Sequence, residues 1–101
     1  MVTFQIIEQP GTKLRQQLLR AMRGGELRTF HPKLRGRRVV HTSYPGWISW
    51  SDNAGVITCE VRSPTRPGEE WKLLSALIGR LADKYADRVH SIHIQLQDTD
   101  D

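Results

Sequence analysis

The sequence predicts an α+β fold: a two-layer sandwich with two helices on one face of a mixed sheet of about five strands, in the order βαβββαβ. Three observations carry this. Apolar residues alternate with a period of two over 2–8 and 56–62. They recur at helical spacing over 13–23 and 69–87. Between these runs stand turn formers, at 10–12, 24–25, 44–46, 51–55 and 63–68. At 101 residues the chain fits a single α+β domain over 1–97, followed by an acidic tail, 98–101, that is expected to fray.

The first strand puts Val2, Phe4 and Ile6 on one face and Thr3, Gln5 and Ile7 on the other. Pro10-Gly11-Thr12 stops it, with Thr12 as the expected N-cap of a helix. Leu14, Leu18, Leu19, Ala21 and Met22 form that helix's apolar face; Lys13, Gln16, Gln17, Arg20 and Arg23 lie opposite. Gly24-Gly25 ends it. Residues 26–36 fit a loop at least as well as a short strand, because Leu27 and Phe30 are set against Pro32 and Gly36.

A strand is expected over 37–43, then a type II turn at Tyr44-Pro45-Gly46. Strand 47–50 leads into a hairpin, Ser51 to Gly55, read as a type I turn with a glycine bulge. The returning strand 56–62 turns Ile57, Cys59 and Val61 to one side. After a rigid connector at 63–68, the second helix has an expected buried stripe of Trp71, Leu74, Leu77, Ile78, Leu81, Ala82 and Tyr85. Glu69 and Glu70 at its start and Lys84 and Arg88 at its end match the helix dipole. Residues 89–97 form the last strand, and the final strand–helix–strand unit is expected to be a right-handed parallel crossover. This element order resembles a ferredoxin-like plait with one extra strand, a likeness that implies a fold and no function.

The one cysteine, Cys59, excludes an internal disulfide framework and any multi-cysteine zinc site, which points to a reducing compartment. No apolar run is long enough for a membrane-spanning helix, and the first residues lack the basic start and apolar core of a secretory signal. A cytoplasmic location and no membrane partner are the expectations.

Charge is the informative feature. Nine of the fifteen basic residues fall within 13–38: Lys13, Arg15, Arg20, Arg23, Arg28, Lys33, Arg35, Arg37 and Arg38. With Glu26 as its sole acid that stretch carries +8 against +4 for the chain, so the remainder sums to −4. Exposed ion pairs contribute under ~1 kcal/mol each, so stability is a poor reason for nine cations. Arg20 and Arg23 suit the last turn of a helix, and Lys13 and Arg15 suit a solvated helical face. Lys33, Arg35 and Arg37, at alternate positions, would form a comb with a spacing of about 6.6–6.8 Å if extended.

Such a comb suits a phosphate backbone, and aromatic residues among arginines suit unpaired bases. The expected phosphate contacts are Lys13, Arg20, Arg23, Lys33, Arg35, Arg37 and Arg38, with Tyr44 or Trp47 stacking. Trp50 shares a face with Ile48 and is assigned to the core with Trp71. The function expected is a non-enzymatic binding module for a polyanion, RNA or DNA read with little sequence specificity. The alternative is a protein-interaction or assembly domain, docking an acidic partner or self-associating as a homodimer.

Catalytic readings find little support. On a strand His90 and His93 face opposite sides, so one metal cannot easily use both. Cys59, between Ile57 and Val61, reads as a core residue rather than a nucleophile. An enzyme would need His41, His93 and Cys59, or some of them with Asp52, to meet in a cleft, and His31 is the other histidine to place. No metal and no cofactor are expected.

Overall fold

A computed structural model of the protein describes residues 2–64 and 69–95. It is α+β, with one antiparallel sheet of six strands and two helices. The strands are β1 (Val2–Glu8), β2 (Phe30–Lys33), β3 (Arg38–His41), β4 (Trp47–Asn53), β5 (Val56–Arg62) and β6 (Val89–Gln95). Helix α1 is Leu14–Arg23 and α2 is Glu70–Lys84, and a 3₁₀ turn, Ala86–Arg88, leads into β6. Neighbours in the sheet run β2-β3-β4-β5-β1-β6.

One face of the sheet is apolar. Val2, Phe4 and Ile6 of β1 lie level with Ile57, Cys59 and Val61 of β5, which lie level with Ile48 and Trp50 of β4. All are buried, together with Leu14 and Leu18 of α1 and Leu73, Leu74, Leu77 and Leu81 of α2. The alternate positions Thr3, Gln5, Ser49, Ser51, Thr58 and Glu60 are half-buried or exposed. The period-two pattern of the strands therefore sorts the core to the helix side, as expected for β1 and β5.

Several expectations change. The sheet is antiparallel throughout rather than mixed. β5 and β6 do run in the same direction, but β1 lies between them, paired antiparallel to both. The sixth strand is β2: Phe30 to Lys33 pair with Arg38 to His41, so four residues of the ambiguous segment form a hairpin arm. Pro32 is tolerated there because β2 is an edge strand. The hairpin after β4 is tighter than expected: Asn53 pairs with Val56, and Ala54 (φ 53°) and Gly55 (φ 83°) form a two-residue left-handed turn. Gly46 has the positive φ, 104°, that a type II turn requires at its third position.

Thr12 does not cap α1; its Oγ1 donates to the Gln9 carbonyl, 2.9 Å. The N-cap is Lys13, in a left-handed conformation, and the Glu8 carboxylate accepts the Leu14 N–H at 3.1 Å. In α2 the buried stripe is rotated toward Leu73, and Trp71 is 41% exposed rather than core. The expected acidic tail, residues 96–97 of the last strand and most of the 63–68 connector lie outside the described residues.

Candidate nucleic-acid interface

The hairpin joining β2 to β3 is built on a left-handed turn, with φ of 52° at Leu34, 58° at Arg35 and 86° at Gly36. The Gly36 and Arg37 N–H groups donate to the Lys33 and Leu34 carbonyls, 3.0 and 3.1 Å. Lys33, Arg35 and Arg37 are therefore not an extended comb. They occupy a strand end and two turn positions, because the chain reverses here instead of continuing as a strand.

Gly36 fixes where that turn sits. Its carbonyl accepts hydrogen bonds from Arg15 Nη2 at 3.0 Å and from Trp50 Nε1 at 2.7 Å. A Cβ added at Gly36 would meet Leu19 Cδ1 at 3.1 Å and Arg23 Nη2 at 3.3 Å. Only glycine combines this φ with this approach. Arg15 also lies 3.9 Å from the Asp52 carboxylate and 5.5 Å from the centroid of Trp50's ring. It is a structural cation that locks the tip to α1 and β4, not part of a solvated face.

The expected contacts then fall into neighbourhoods. Lys13, Arg20 and Arg23 are exposed along α1, which rises about 15 Å over its ten residues. Arg20 and Arg23 line one shallow cavity with Gln16. Arg35 and Arg37 flank Gly36 at the turn, and the proximity of Arg23 to Gly36 joins turn and helix into one cationic ridge. Lys33 and Arg38 are elsewhere, paired with each other on the open face of the sheet.

Arg38 is half-buried, its guanidinium 4.5 Å from the centroid of Trp47's ring. Trp47 is thus half-covered rather than an open stacking platform, and its Nε1 is buried without a hydrogen-bond partner among the described residues. Tyr44 stacks on His41, with ring centres 4.6 Å apart and planes at 23°, and packs against the core. His41 in turn sets its ring edgewise against Phe30 at 4.8 Å. The His41 Nδ1 accepts the Ser43 N–H at 2.9 Å, which requires an unprotonated nitrogen. Burial, followed by the charges of Arg80 and His31, holds its pKa below the usual histidine value.

Ion pairing separates the basic residues further. Among the described residues Arg15 pairs with Asp52, Arg62 with Glu60, Lys72 with Glu69 and Arg88 with Asp87. Of the nine cations in 13–38, Arg15 is the one so engaged. Arg88, outside the basic stretch, also reaches the ridge, its Nη1 donating to Gln17 Oε1 at 2.8 Å. That contact spans 71 positions, and no local spacing signals it.

The residues an enzyme would need are scattered. His41 lies on β3 and His93 on β6, with β4, β5 and β1 between them. Cys59 is fully buried in β5, where burial pushes its thiol far above the usual range. Among the described residues there is no group of three or more His, Cys, Asp or Glu side chains placed to hold a metal. None of the described helices is long and apolar enough to cross a membrane. No family model, no curated protein and no solved structure matches this chain, so its functional reading rests on these side chains alone.

Proposed function

We propose that this protein is a non-enzymatic nucleic-acid-binding module whose α1–turn ridge docks the phosphate backbone of RNA or DNA with little sequence specificity. One observation carries the reading: eight of the nine cations within 13–38 have no carboxylate partner among the described residues. Seven of the eight are exposed; Arg38 is half-buried. The described acidic residues outside 13–38 leave these eight unpaired, so their charge is open to an external polyanion. Lys13, Arg20, Arg23, Arg35 and Arg37 form the main contact, with Lys33 and Arg38 a second, separate one. Trp47 and Tyr44 contribute less to base stacking in this reading, because each already has one ring face occupied.

The ferredoxin-like plait belongs to the same proposal. The run β6-β1-β5-β4, with a helix after β1 and another after β5, is that plait's arrangement, and β2–β3 is then a hairpin inserted between α1 and β4. The two-layer sandwich follows from the burial of one sheet face only. A reduced Cys59 fits a cytoplasmic setting.

The test is fluorescence anisotropy with mixed-sequence single- and double-stranded oligonucleotides over a range of salt concentrations. Log affinity should fall linearly with log salt, by about 0.7 per neutralised phosphate for single strands and about 0.9 for duplex. Replacing Arg35 and Arg37 by alanine should remove about two such contacts from the slope. Absence of binding at low salt, or binding that salt does not weaken, overturns the proposal.

One feature favours assembly as a second reading. Strand β6 (VHSIHIQ) is a seven-residue edge strand with no Lys, Arg, Asp or Glu, and its Ile94 is 43% exposed. Edge strands are commonly protected by charge or proline, as β2 is by Pro32 and Lys33. Light scattering during size exclusion distinguishes a homodimer from a monomer.

A further inference from the structure

At the start of the α1 ridge lies an open cavity of ≈ 390 Å³ lined by Lys13, Gln16, Gln17, Arg20, Glu26 and Arg88, among others. Three cations and one carboxylate line it, for a net charge of +2; the Asp87 carboxylate beside Arg88 lies outside that lining and, at 79% exposure, is screened by solvent. Arg88 is held in place there from several sides. Its Nη1 donates to Gln17 Oε1 at 2.8 Å, its guanidinium lies 5.0 Å from the centroid of Tyr85's ring, and its Nε is 3.8 Å from the Asp87 carboxylate. The side chain is still 37% exposed. Gln17 is itself oriented, since its Nε2 donates to the Thr12 carbonyl. A guanidinium fixed in this way loses little rotamer freedom when it binds an anion. Lys13 and Arg20 are exposed and unpaired beside it.

The charge selects the ligand. A phosphodiester in a nucleic-acid backbone carries one negative charge, whereas a terminal phosphate monoester carries about −1.5 to −2 near neutral pH and offers three acceptor oxygens. A concave wall of net +2 matches the second. The convex remainder of the ridge, from Arg23 to the hairpin turn, suits a backbone that passes over it. Resting on the nucleic-acid reading above, we propose that this cavity is a site for a terminal phosphate monoester, so that the module prefers phosphorylated strand ends. Arg88 and Arg20 grip the phosphoryl oxygens and Lys13 adds charge at the rim.

The experiment compares one short oligonucleotide in 5′-phosphorylated, 3′-phosphorylated and unphosphorylated forms by anisotropy, using the full chain. The protein should bind one phosphorylated form about tenfold more tightly than the unphosphorylated one, the effect of a charge-assisted hydrogen bond. The preferred form identifies the end. Arg88→Gln should bring the affinity ratio of the phosphorylated to the unphosphorylated form to about one. Because Arg88 also packs on Tyr85, Arg20→Gln serves as the second variant: it should lower affinity for all three forms by one ridge contact and likewise bring the ratio between them to about one. Arg20 is exposed and has no side-chain hydrogen bond or ion pair among the described residues.

Equal binding of all three forms overturns the site and leaves the nucleic-acid reading intact. A preference that survives both variants also overturns it. If no oligonucleotide binds, the nucleic-acid reading fails, and titration with adenosine 5′-monophosphate, followed by NMR, decides the cavity separately. Shifts centred on Lys13, Arg20 and Arg88 would retain it as a phosphomonoester site; their absence would remove it.

Discussion

The two halves of the basic stretch hold their cations by different means. Over 13–23 the helix does it: Lys13, Gln16, Arg20 and Arg23 share a face because of its period. Over 33–38 the backbone is left-handed at Leu34, Arg35 and Gly36, and the turn is anchored through the Gly36 carbonyl to Arg15 and Trp50. The helical half takes its pattern from the period of one element. The hairpin half owes its position to Arg15, Leu19 and Trp50, residues of other elements. Local spacing therefore describes the first half well and misdescribes the second, although the second half has the denser charge.

Four substitutions test that contrast, from the largest expected effect to the smallest. Gly36→Ala forces a side chain into the left-handed region and toward Leu19 and Arg23. It should cost about 2 kcal/mol in urea unfolding and shift the amide resonances of residues 33–38 while leaving those of α1 near their wild-type positions. An unchanged midpoint would mean that the turn is not seated as described.

Arg15→Ala and Arg20→Ala separate a structural cation from a free one. Arg15→Ala removes the bond to Gly36, the Asp52 pair and the contact with Trp50, and should destabilise by about 1–2 kcal/mol. Arg20→Ala should stay within about 0.5 kcal/mol of wild type and instead weaken oligonucleotide binding. Equal stability losses for the two would erase the distinction between them. Smallest in magnitude is Arg35→Asn. Asparagine tolerates a φ of 58° better than arginine, so stability should rise by about 0.5 kcal/mol while affinity falls by one phosphate contact. Opposite signs in the two measurements are the diagnostic result.

Legibility followed the same division. The faces of β1 and β5, the apolar side of α1 and the burial of Cys59 and Trp50 were readable because each depends on a short, regular pattern ended by glycine or proline. The stripe of α2 was readable in part: Leu74, Leu77, Leu81 and Tyr85 are buried as expected, but Trp71, Leu73, Ala76, Ile78 and Ala82 spread apolar residues over a wide arc. Packing chose the Leu73 side and left Trp71 at the surface. Strand β2 was hidden by its proline and by a turn with leucine and arginine where glycine or asparagine is usual. Of the expected contacts, Arg20 and Arg23 do lie exposed on α1, whereas Lys33, Arg35 and Arg37 were given an extended geometry that a left-handed turn replaces. Arg88 was missed, because its link to Gln17 exists only after β6 has docked.

The position of β1 has a consequence for how this chain acquires its structure. The strand formed by residues 2–8 has both its sheet partners far downstream, at 56–61 and 89–95. During synthesis it must wait, unpaired and apolar, until most of the protein has been made. Closing such long loops is entropically costly and slow, so β1 should be secured after the β2–β5 meander and not before it. For the same reason its pairing with β6, across the longest loop, should come last. The cavity beside Arg88 should then be completed late in folding, and the hairpin turn with its arginines earlier.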